Sequence, residues 1–300
     1  MQVIKETKNN KAPGEDGLSY EFYKHWLKQW EDNEKENKIK IPDISKILYE
    51  VYKDIETTGE AHFSFTIGRM YLLYKKGSKT KIENYRPLTL LNTDYKILTK
   101  VIAAKLGEVA GKILHENQAG FVPKRSIYDQ VRLNQMIINY AEIKEEDGLM
   151  VSLDQEKAYD KIDHDYLWEV LTAFGFPKEF IKTIKALYNE AQTRVIVNNS
   201  YDVPFSVNRG VRQGDPMSCI LYDLAIEPLA NSIRKCEKIT GYKVKGMKEP
   251  LKVTLFADDT VVFLKKNNKV KNLEIIINKF CKASTAKFNL GKTNYLPIGT

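Results

Sequence analysis

Apolar side chains recur at helical spacing in several long segments of the chain. The clearest segment follows the capping residues Asn92-Thr93-Asp94 and carries apolar positions at Ile97, Leu98, Val101, Ile102, Leu106, Val109 and Ile113. Apolar spacing, caps and helix breakers predict further helices over 19–30, 43–57, 126–143, 165–174, 178–190, 216–235 and 268–285. A charged run without apolar residues, 31–38, predicts an exposed loop or a frayed helix end.

Short runs rich in β-branched, aliphatic and aromatic residues predict the strands. They cover 69–75, 149–153, 194–198, 203–207, 252–256 and 260–265. The third and fourth runs are joined by Asn199-Ser-Tyr-Asp202, which is typical of a hairpin. Since hairpin-length links dominate the second half and the helices are segregated, we expect antiparallel strands and an α+β fold rather than a doubly wound α/β sheet.

Composition indicates a globular chain with a substantial core. Hydrophobic residues make up 43% of the 300 residues and charged residues 29%, and the longest apolar runs are too short to span a bilayer. Three widely spaced cysteines exclude a disulfide scaffold and a Cys-only zinc site. With no apolar signal region in the first residues, we expect an intracellular protein, nuclear or cytoplasmic, that is not secreted and does not partner a membrane.

Basic residues cluster more than the formal charge of +8 suggests. Lysines at 75, 76, 79 and 81 precede Arg86, and Tyr71, Tyr74 and Tyr85 are interspersed among them. Aromatic side chains in a basic groove are typical of nucleic-acid binding. A solvated charged face explains the cluster equally well.

Adjacent carboxylates lie between two strongly apolar runs near the end of the chain. Asp258 and Asp259 form a hairpin tip, and Asp154 ends another apolar strand in the same way. Like charges so close raise the pKa of one carboxyl unless a cation neutralises them. Three carboxylates suit Mg²⁺, and two such ions about 3.5–4 Å apart stabilise in-line phosphoryl transfer. A simple turn explains Asp258-Asp259 alone about equally well.

Six sequence blocks, in order, resemble the reverse transcriptases of non-LTR (LINE-type) retrotransposons. The blocks are Lys11-Ala-Pro-Gly14-Glu-Asp-Gly-Leu, Asn84-Tyr-Arg86-Pro-Leu, Gln118-Ala-Gly120-Phe-Val-Pro-Lys-Arg125-Ser, Ser152-Leu-Asp154-Gln-Glu-Lys-Ala-Tyr159, Arg212-Gln213-Gly214-Asp-Pro-Met-Ser and Phe256-Ala-Asp258-Asp259. The resemblance runs from about residue 8 to about 295.

The resemblance implies a right-hand polymerase. Fingers with an N-terminal extension would occupy 1–148, and a palm with an antiparallel sheet packed on helices would occupy 149–300, the region after the first catalytic block being open to a fingers contribution. A thumb and a primer-gripping segment are not evident in the sequence. We therefore expect a fingers–palm chain without a thumb.

The resemblance also implies the roles of single residues. Asp154, Asp258 and Asp259 would be the catalytic ligands of two Mg²⁺ ions, for which Mn²⁺ is a substitute. Tyr159 would exclude a ribose 2′-OH, and Gln213 and Gly214 would contact the templating base and the incoming nucleotide. Arg86 and Arg125 would bind the triphosphate, with Lys124 competing for the role of Arg125, and Lys292 would lie near the leaving pyrophosphate.

Two functions remain from different classes. The first is RNA-directed DNA polymerisation, with an RNA template, a DNA primer or target and deoxynucleoside triphosphates as partners. The second is a catalytically weak or inactive nucleic-acid-binding remnant that lacks the thumb. A P-loop at Gly291-Lys292-Thr293 is excluded, because the pattern needs a glycine where Ala286 stands.

Overall fold

A computed structural model of the chain describes residues 1–36, 41–289 and 291–299. The helices are α1 (Gln2–Lys5), α2 (Tyr20–Glu36), α3 (Ile44–Thr58), α4 (Phe63–Thr66), α5 (Thr93–Ile113), α6 (Ile127–Lys144), α7 (Ala158–Lys161), α8 (His164–Ala173), α9 (Lys178–Tyr188), α10 (Ser218–Lys235) and α11 (Val270–Ser284). The strands are β1 (Gly68–Tyr74), β2 (Tyr85–Leu91), β3 (Gly148–Leu153), β4 (Gln192–Val197), β5 (Ser200–Tyr201), β6 (Phe205–Ser206), β7 (Val253–Phe256), β8 (Asp259–Lys265) and β9 (Asn294–Ile298).

The chain forms two compact units, each assembled from separated stretches of sequence. Unit 1 comprises 1–104, 175–208 and 212–218, and unit 2 comprises 105–174, 209–211 and 219–300. This division differs from the predicted boundary at 148/149. Residues 105–148 belong to unit 2, whereas 175–208 and 212–218 belong to unit 1. The assignment of fingers and palm to 1–148 and 149–300 stays a prediction.

Unit 1 contains a sheet with strand order β2-β1-β4-β5, and β6 also pairs with β4. Strands β1 and β2 are antiparallel, whereas β1 and β4 run parallel, with Gly68 opposite Thr193. The parallel pair departs from the predicted antiparallel arrangement, because the chain reaches β4 through a long crossover rather than a hairpin. A separate cluster of buried side chains from α1, α2, α3 and α5 includes Tyr23, Leu27 and Leu48.

Unit 2 contains a four-stranded sheet with order β7-β8-β3-β9. All three pairings are antiparallel, which confirms the prediction for this half of the chain. Ile137 and Ala141 of α6 pack with Phe263 of β8 and Ile298 of β9 in one buried cluster. The strand that ends at Asp154 is therefore central, and the sheet is backed by a helix.

Helix α10 begins two residues later than the sequence predicts. Asp215 is buried, and its carboxylate accepts hydrogen bonds from the Met217 backbone N–H (3.1 Å) and from the Tyr95 hydroxyl (3.2 Å). These contacts hold Asp215 in a turn, so Pro216 precedes the helix instead of starting it.

The structure differs in detail from two predictions, one for the charged run 31–38 and one for the hairpin after β4. Residues 31–36 of the charged run continue α2, whereas residues 37 and 38 lie outside the described residues. The hairpin after β4 is tighter than predicted, because Asn198 and Asn199 both take positive φ and Val197 pairs with Ser200.

Across the ranges that the structure describes, no helix combines the length and the apolarity needed to cross a bilayer.

Candidate active site

A tight turn links β7 to β8 in unit 2. Phe256 pairs with Asp259, so the loop between them consists of Ala257 and Asp258. Ala257 is buried and has a φ of 54°, in the left-handed region. The turn therefore carries Asp258 and Asp259 in succession at one end of the sheet.

Asp154 reaches the same end of the sheet from β3. Leu153 pairs with Thr260, so the next position, Asp154, comes opposite Asp259 where the two strands end. Burial raises the pKa of Asp259, and the negative charges of Asp258 and Asp154 raise it further. The three carboxylates thus interact electrostatically, as the sequence predicts for adjacent like charges.

The donor chemistry of this end of the sheet fits a hard divalent cation. Carboxylate oxygens are the ligands that Mg²⁺ prefers, and a bound cation would relieve the repulsion that raises the Asp259 pKa. Within the described ranges, no group of three acidic, His or Cys side chains is drawn together closely enough to hold a metal ion. The residues therefore supply suitable donors at one end of the sheet, but in this structure three of them do not converge on one point.

Tyr159 lies on α7, shortly after Asp154. Its ring stacks on Tyr222 with the centroids 4.5 Å apart and the planes inclined by 24°. The Tyr222 hydroxyl donates to Gln155 Oε1 (2.9 Å). Burial raises the pKa of Tyr159, and the charges of nearby acidic groups raise it further, so the phenol stays protonated at neutral pH. The ring therefore sits on a fixed aromatic platform.

The segment with Gln213 and Gly214 belongs to unit 1. Gly214 has a φ of 94°, and a Cβ there would stand 2.6 Å from the Thr89 carbonyl oxygen, so only glycine fits this close approach to β2. Gln213 is partly exposed beside it. Arg212 is buried, and its guanidinium carbon lies 5.2 Å from the centre of the Tyr95 ring. The motif is thus anchored to unit 1.

The basic hairpin of unit 1 is defined as 75–84, the connection between β1 and β2. Its lysines are exposed, as is Arg86 at the start of β2. The Tyr74 and Tyr85 rings meet at 5.7 Å, and Lys79 Nζ lies 5.6 Å from the centre of the Tyr74 ring. The tyrosines therefore form an aromatic base for an exposed cationic loop.

Arg125 is occupied by contacts within unit 2. Its Nη1 donates to the carbonyls of His115 (2.6 Å) and Gln118 (2.7 Å), and its Nη2 donates to those of Leu114 (2.9 Å) and Gly111 (3.1 Å). These four bonds engage all four Nη hydrogens and tie down the end of α5. The four hydrogen bonds favour a structural role for Arg125, and its contact with the triphosphate stays a prediction. Lys124, the alternative candidate for that contact, is exposed.

Lys292 lies in an exposed turn immediately before β9. Its backbone N–H donates to the Asn289 carbonyl (3.1 Å), and Leu290 of the same motif lies outside the described residues. A strand rather than a helix follows Lys292, which agrees with the rejection of a P-loop. Its proximity to pyrophosphate stays a prediction.

Two acidic residues of α10 escaped the sequence reasoning. Asp223 is fully buried, and neither of its carboxyl oxygens has a hydrogen-bond partner among the described residues. Burial, followed by the charge of Glu227, raises the pKa of Asp223 to about 8. Glu227 is also buried and forms an ion pair with Arg234. The sequence feature that could have identified Asp223 and Glu227 is their spacing of four residues, which places two acids on an otherwise apolar face of α10.

Comparison with known proteins gives the family of the chain. The sequence profile of the family described as reverse transcriptase (RNA-dependent DNA polymerase) matches residues 74–297. The Transposon TX1 uncharacterized 149 kDa protein of Xenopus laevis is 34% identical over 299 residues, which cover 100% of this chain and 22% of that protein. The Pol polyprotein of the type-2 element R2DM of Drosophila melanogaster is 24% identical over 78% of this chain and 21% of its own length.

The fold has known counterparts as well. The apo telomerase of Candida tropicalis, truncated from its C-terminal domain, superposes with a TM-score of 0.57 and 15% identity, covering 85% of this chain and 56% of that one. At this identity the likeness concerns the fold, which is that of polymerase fingers and palm. This chain spans about a fifth of the length of the two transposon relatives. The profile match and these relatives together show that the chain belongs to the reverse transcriptase family, as a reverse transcriptase domain of the non-LTR retrotransposon type.

Proposed function

We propose that this chain is the polymerising part of an RNA-directed DNA polymerase from a non-LTR retrotransposon. The observation that carries the proposal is the strand register that places Asp154, Asp258 and Asp259 at the same end of one sheet, in a chain of the reverse transcriptase family. Reverse transcriptases as a family use divalent metal ions, an RNA template and nucleotide substrates. For this chain the proposed ions are two Mg²⁺, with Mn²⁺ as a substitute.

The reaction is nucleotidyl transfer to a DNA primer. The oxygen of the primer 3′-OH attacks the α-phosphate of a deoxynucleoside triphosphate and the hydroxyl proton is released. The new phosphodiester bond forms, the bond between the α- and β-phosphates breaks, and pyrophosphate leaves. Asp154, Asp258 and Asp259 would hold the two ions, which when bound neutralise the charge that develops on the transferred phosphoryl group. The protein's contribution is positioning and electrostatic stabilisation.

Other residues of the chain act on the substrates. The Tyr159 ring, fixed on Tyr222, would exclude the 2′-OH of a ribonucleotide. The exposed guanidinium of Arg86 and the basic hairpin would bind phosphate groups. Gln213 and Gly214 would contact the base pair that forms, since the backbone at Gly214 needs no room for a side chain. Lys292 would attend the leaving pyrophosphate.

The alternative of an inactive remnant is not favoured. All three carboxylates are present, they interact electrostatically, and the family profile covers each of them. We further propose an intracellular location, nuclear or cytoplasmic, where template and target are available.

Primer extension on an RNA template with Mg²⁺ tests the proposal. Extension with deoxynucleotides and not with ribonucleotides is the expected result. The control is the protein carrying Asp258→Asn and Asp259→Asn, which should bind template RNA as tightly as the parent chain. Salt-sensitive RNA binding by the parent chain without any extension would favour the remnant instead.

A further inference from the structure

Gln118 connects two segments of unit 2 through a single oxygen atom. Its side chain is fully buried. Its Oε1 accepts a hydrogen bond from the Gly120 backbone N–H (2.8 Å) and another from the Ala257 backbone N–H (3.0 Å). One carboxamide oxygen therefore joins the loop after α5 to the turn that carries the catalytic carboxylates.

The backbone beside Gln118 is paired with β7 as well. The Ala119 N–H donates to the Leu255 carbonyl (2.9 Å), and the Leu255 N–H donates to the Asn117 carbonyl (2.8 Å). These bonds form a parallel bridge in which Gln118 is the partner of Leu255. The segment 117–120 is thus bridged to β7 like a short extra strand, and Arg125 anchors it through a hydrogen bond to the Gln118 carbonyl.

Gly120 brings the two backbones into direct contact. A Cβ at this position would stand 2.2 Å from the Ala257 nitrogen and 2.8 Å from its Cα. Contacts this short exclude every side chain at position 120 unless the turn shifts. The loop and the turn are therefore fitted to each other backbone against backbone.

The turn needs this support because Ala257 adopts a conformation that L-residues avoid. Its φ of 54° is left-handed, where the Cβ crowds the backbone. Such conformations persist when the surroundings over-determine them. The hydrogen bond from the Ala257 N–H and the contact with Gly120 are the surroundings that do so here.

We infer that Gln118 is a positioning residue for the catalytic turn, holding Ala257 left-handed and thereby setting the direction of Asp258 and Asp259. The inference rests on the proposed function in so far as those carboxylates are the metal ligands. Gln118 acts through the Ala257 backbone, with no contact to substrate or metal required. The sequence block around Gln118, which resembles part of the fingers, would then support the turn that carries Asp258 and Asp259.

The first experiment needs no activity. In the metal-free protein labelled with ¹⁵N-alanine, the amide exchange rate of Ala257 is measured in the parent chain and in Gln118→Leu, which keeps the bulk but removes the acceptor. We expect exchange about tenfold faster or more in the variant, since a buried N–H loses its partner. The matched control is Gln130→Leu, another buried glutamine of unit 2 whose Oε1 has no partner among the described residues. It should leave the Ala257 rate unchanged.

The second experiment measures the affinity for Mn²⁺ from the paramagnetic resonance signal of the free ion, together with the Mg²⁺ dependence of extension. Gln118→Leu should raise the half-saturating concentration about tenfold, with thermal melting confirming that the variant is folded. Adding Ala257→Gly should recover much of this loss, because glycine adopts a positive φ without support. A residue needed only for global stability would give no such rescue.

Gly120→Ala provides an independent variant should Gln118→Leu fail to fold. It keeps the carboxamide but forces the turn to shift, so it should also weaken Mn²⁺ binding and speed Ala257 exchange. An unchanged Ala257 rate in folded Gln118→Leu, or in folded Gly120→Ala, would overturn the inference. Faster Ala257 exchange in a protein that neither binds Mn²⁺ nor extends a primer would support the hydrogen bond while the proposed function fails.

Discussion

The ring of Tyr159 stacks on the ring of Tyr222, with centroids 4.5 Å apart and planes inclined by 24°. Tyr222 is fully buried and donates its hydroxyl hydrogen to Gln155, the residue that follows Asp154. The proposed sugar gate is thus supported by the same chain segment that carries Asp154, a proposed metal ligand. Movement of the gate relative to Asp154 is restricted by this connection.

Replacing Tyr159 by alanine is expected to weaken discrimination against ribonucleotides roughly tenfold to a hundredfold, because the 2′-OH no longer meets the ring. The measurement is the ratio of kcat/KM for a deoxynucleotide to that for the matching ribonucleotide. Tyr159→Phe, which keeps the ring and the stacking on Tyr222, is the control and should discriminate like the parent chain. Equal ratios in the parent and the alanine variant would contradict the gate.

Removing two carboxylates at the turn, by Asp258→Asn with Asp259→Asn, should lower kcat for extension by about a thousandfold or more, since several kcal/mol of charge stabilisation are lost. The fold should not suffer. The Asp259 pKa is raised in the folded state, so its ionisation costs stability as the pH rises through that pKa, and the variant should melt at the same or a higher temperature at pH 8. Asp165→Asn, an exposed acid at the start of α8, is the matched control. Extension at the parental rate in the double variant would contradict the ligand assignment.

Arg125→Met is expected to lower the free energy of unfolding by about 2–4 kcal/mol, because four carbonyl oxygens lose a charged donor. Arg125→Lys should recover only part of this, since an ammonium group lacks the planar fork that reaches all four. Urea denaturation provides the measurement, and exposed Lys124→Met is the control. A rise in KM for the nucleotide without any loss of stability would instead favour the triphosphate contact.

Asp223 predicts a dependence of stability on pH. Its pKa is raised by burial from 3.8 to about 8, so the folded state binds a proton that the unfolded state releases between these values. Its contribution to stability is present below about pH 4 and is lost as the pH rises towards 8. Asp223→Asn, which cannot ionise, should therefore be more stable than the parent chain at pH 8 by at least about 1 kcal/mol. Urea denaturation of both proteins at pH 8 and at pH 4 measures this difference in the free energy of unfolding, which should be smaller at pH 4. An equal difference at the two pH values would contradict the raised pKa of Asp223.

Most helices, and the strands around Asp154, Asp258 and Asp259, could be predicted from apolar spacing to within a few residues. The sequence reasoning missed β2 and β9, each of which contains a proline, Pro87 or Pro297. Proline is tolerated at the edges of sheets, and both strands are edge strands of their sheets. Pattern alone does not reveal which strand lies at an edge, so these two needed the tertiary structure.

The carboxylates of the candidate site were predictable for a physical reason. Each of them ends or interrupts an apolar strand, and a charge in that position is visible in the sequence. The bridge from Gln118 to Ala257 was not predictable, because it joins residues far apart in the chain through one oxygen atom. The contacts of Arg125 were equally hidden, since a sequence shows its charge but not the four carbonyls that meet it.

The register of β3 against β8 has a consequence for the order in which the molecule assembles. Leu153 pairs with Thr260, roughly 100 residues later in the chain, and closing so long a loop is slow compared with forming a helix. During synthesis, Asp154 also leaves the ribosome long before Asp258 and Asp259. The three carboxylates are therefore brought to one end of the sheet only after the later strands have formed. The proposed affinity for a divalent ion would then appear late in folding, and it would serve as a kinetic marker for completion of the β3–β8 pairing.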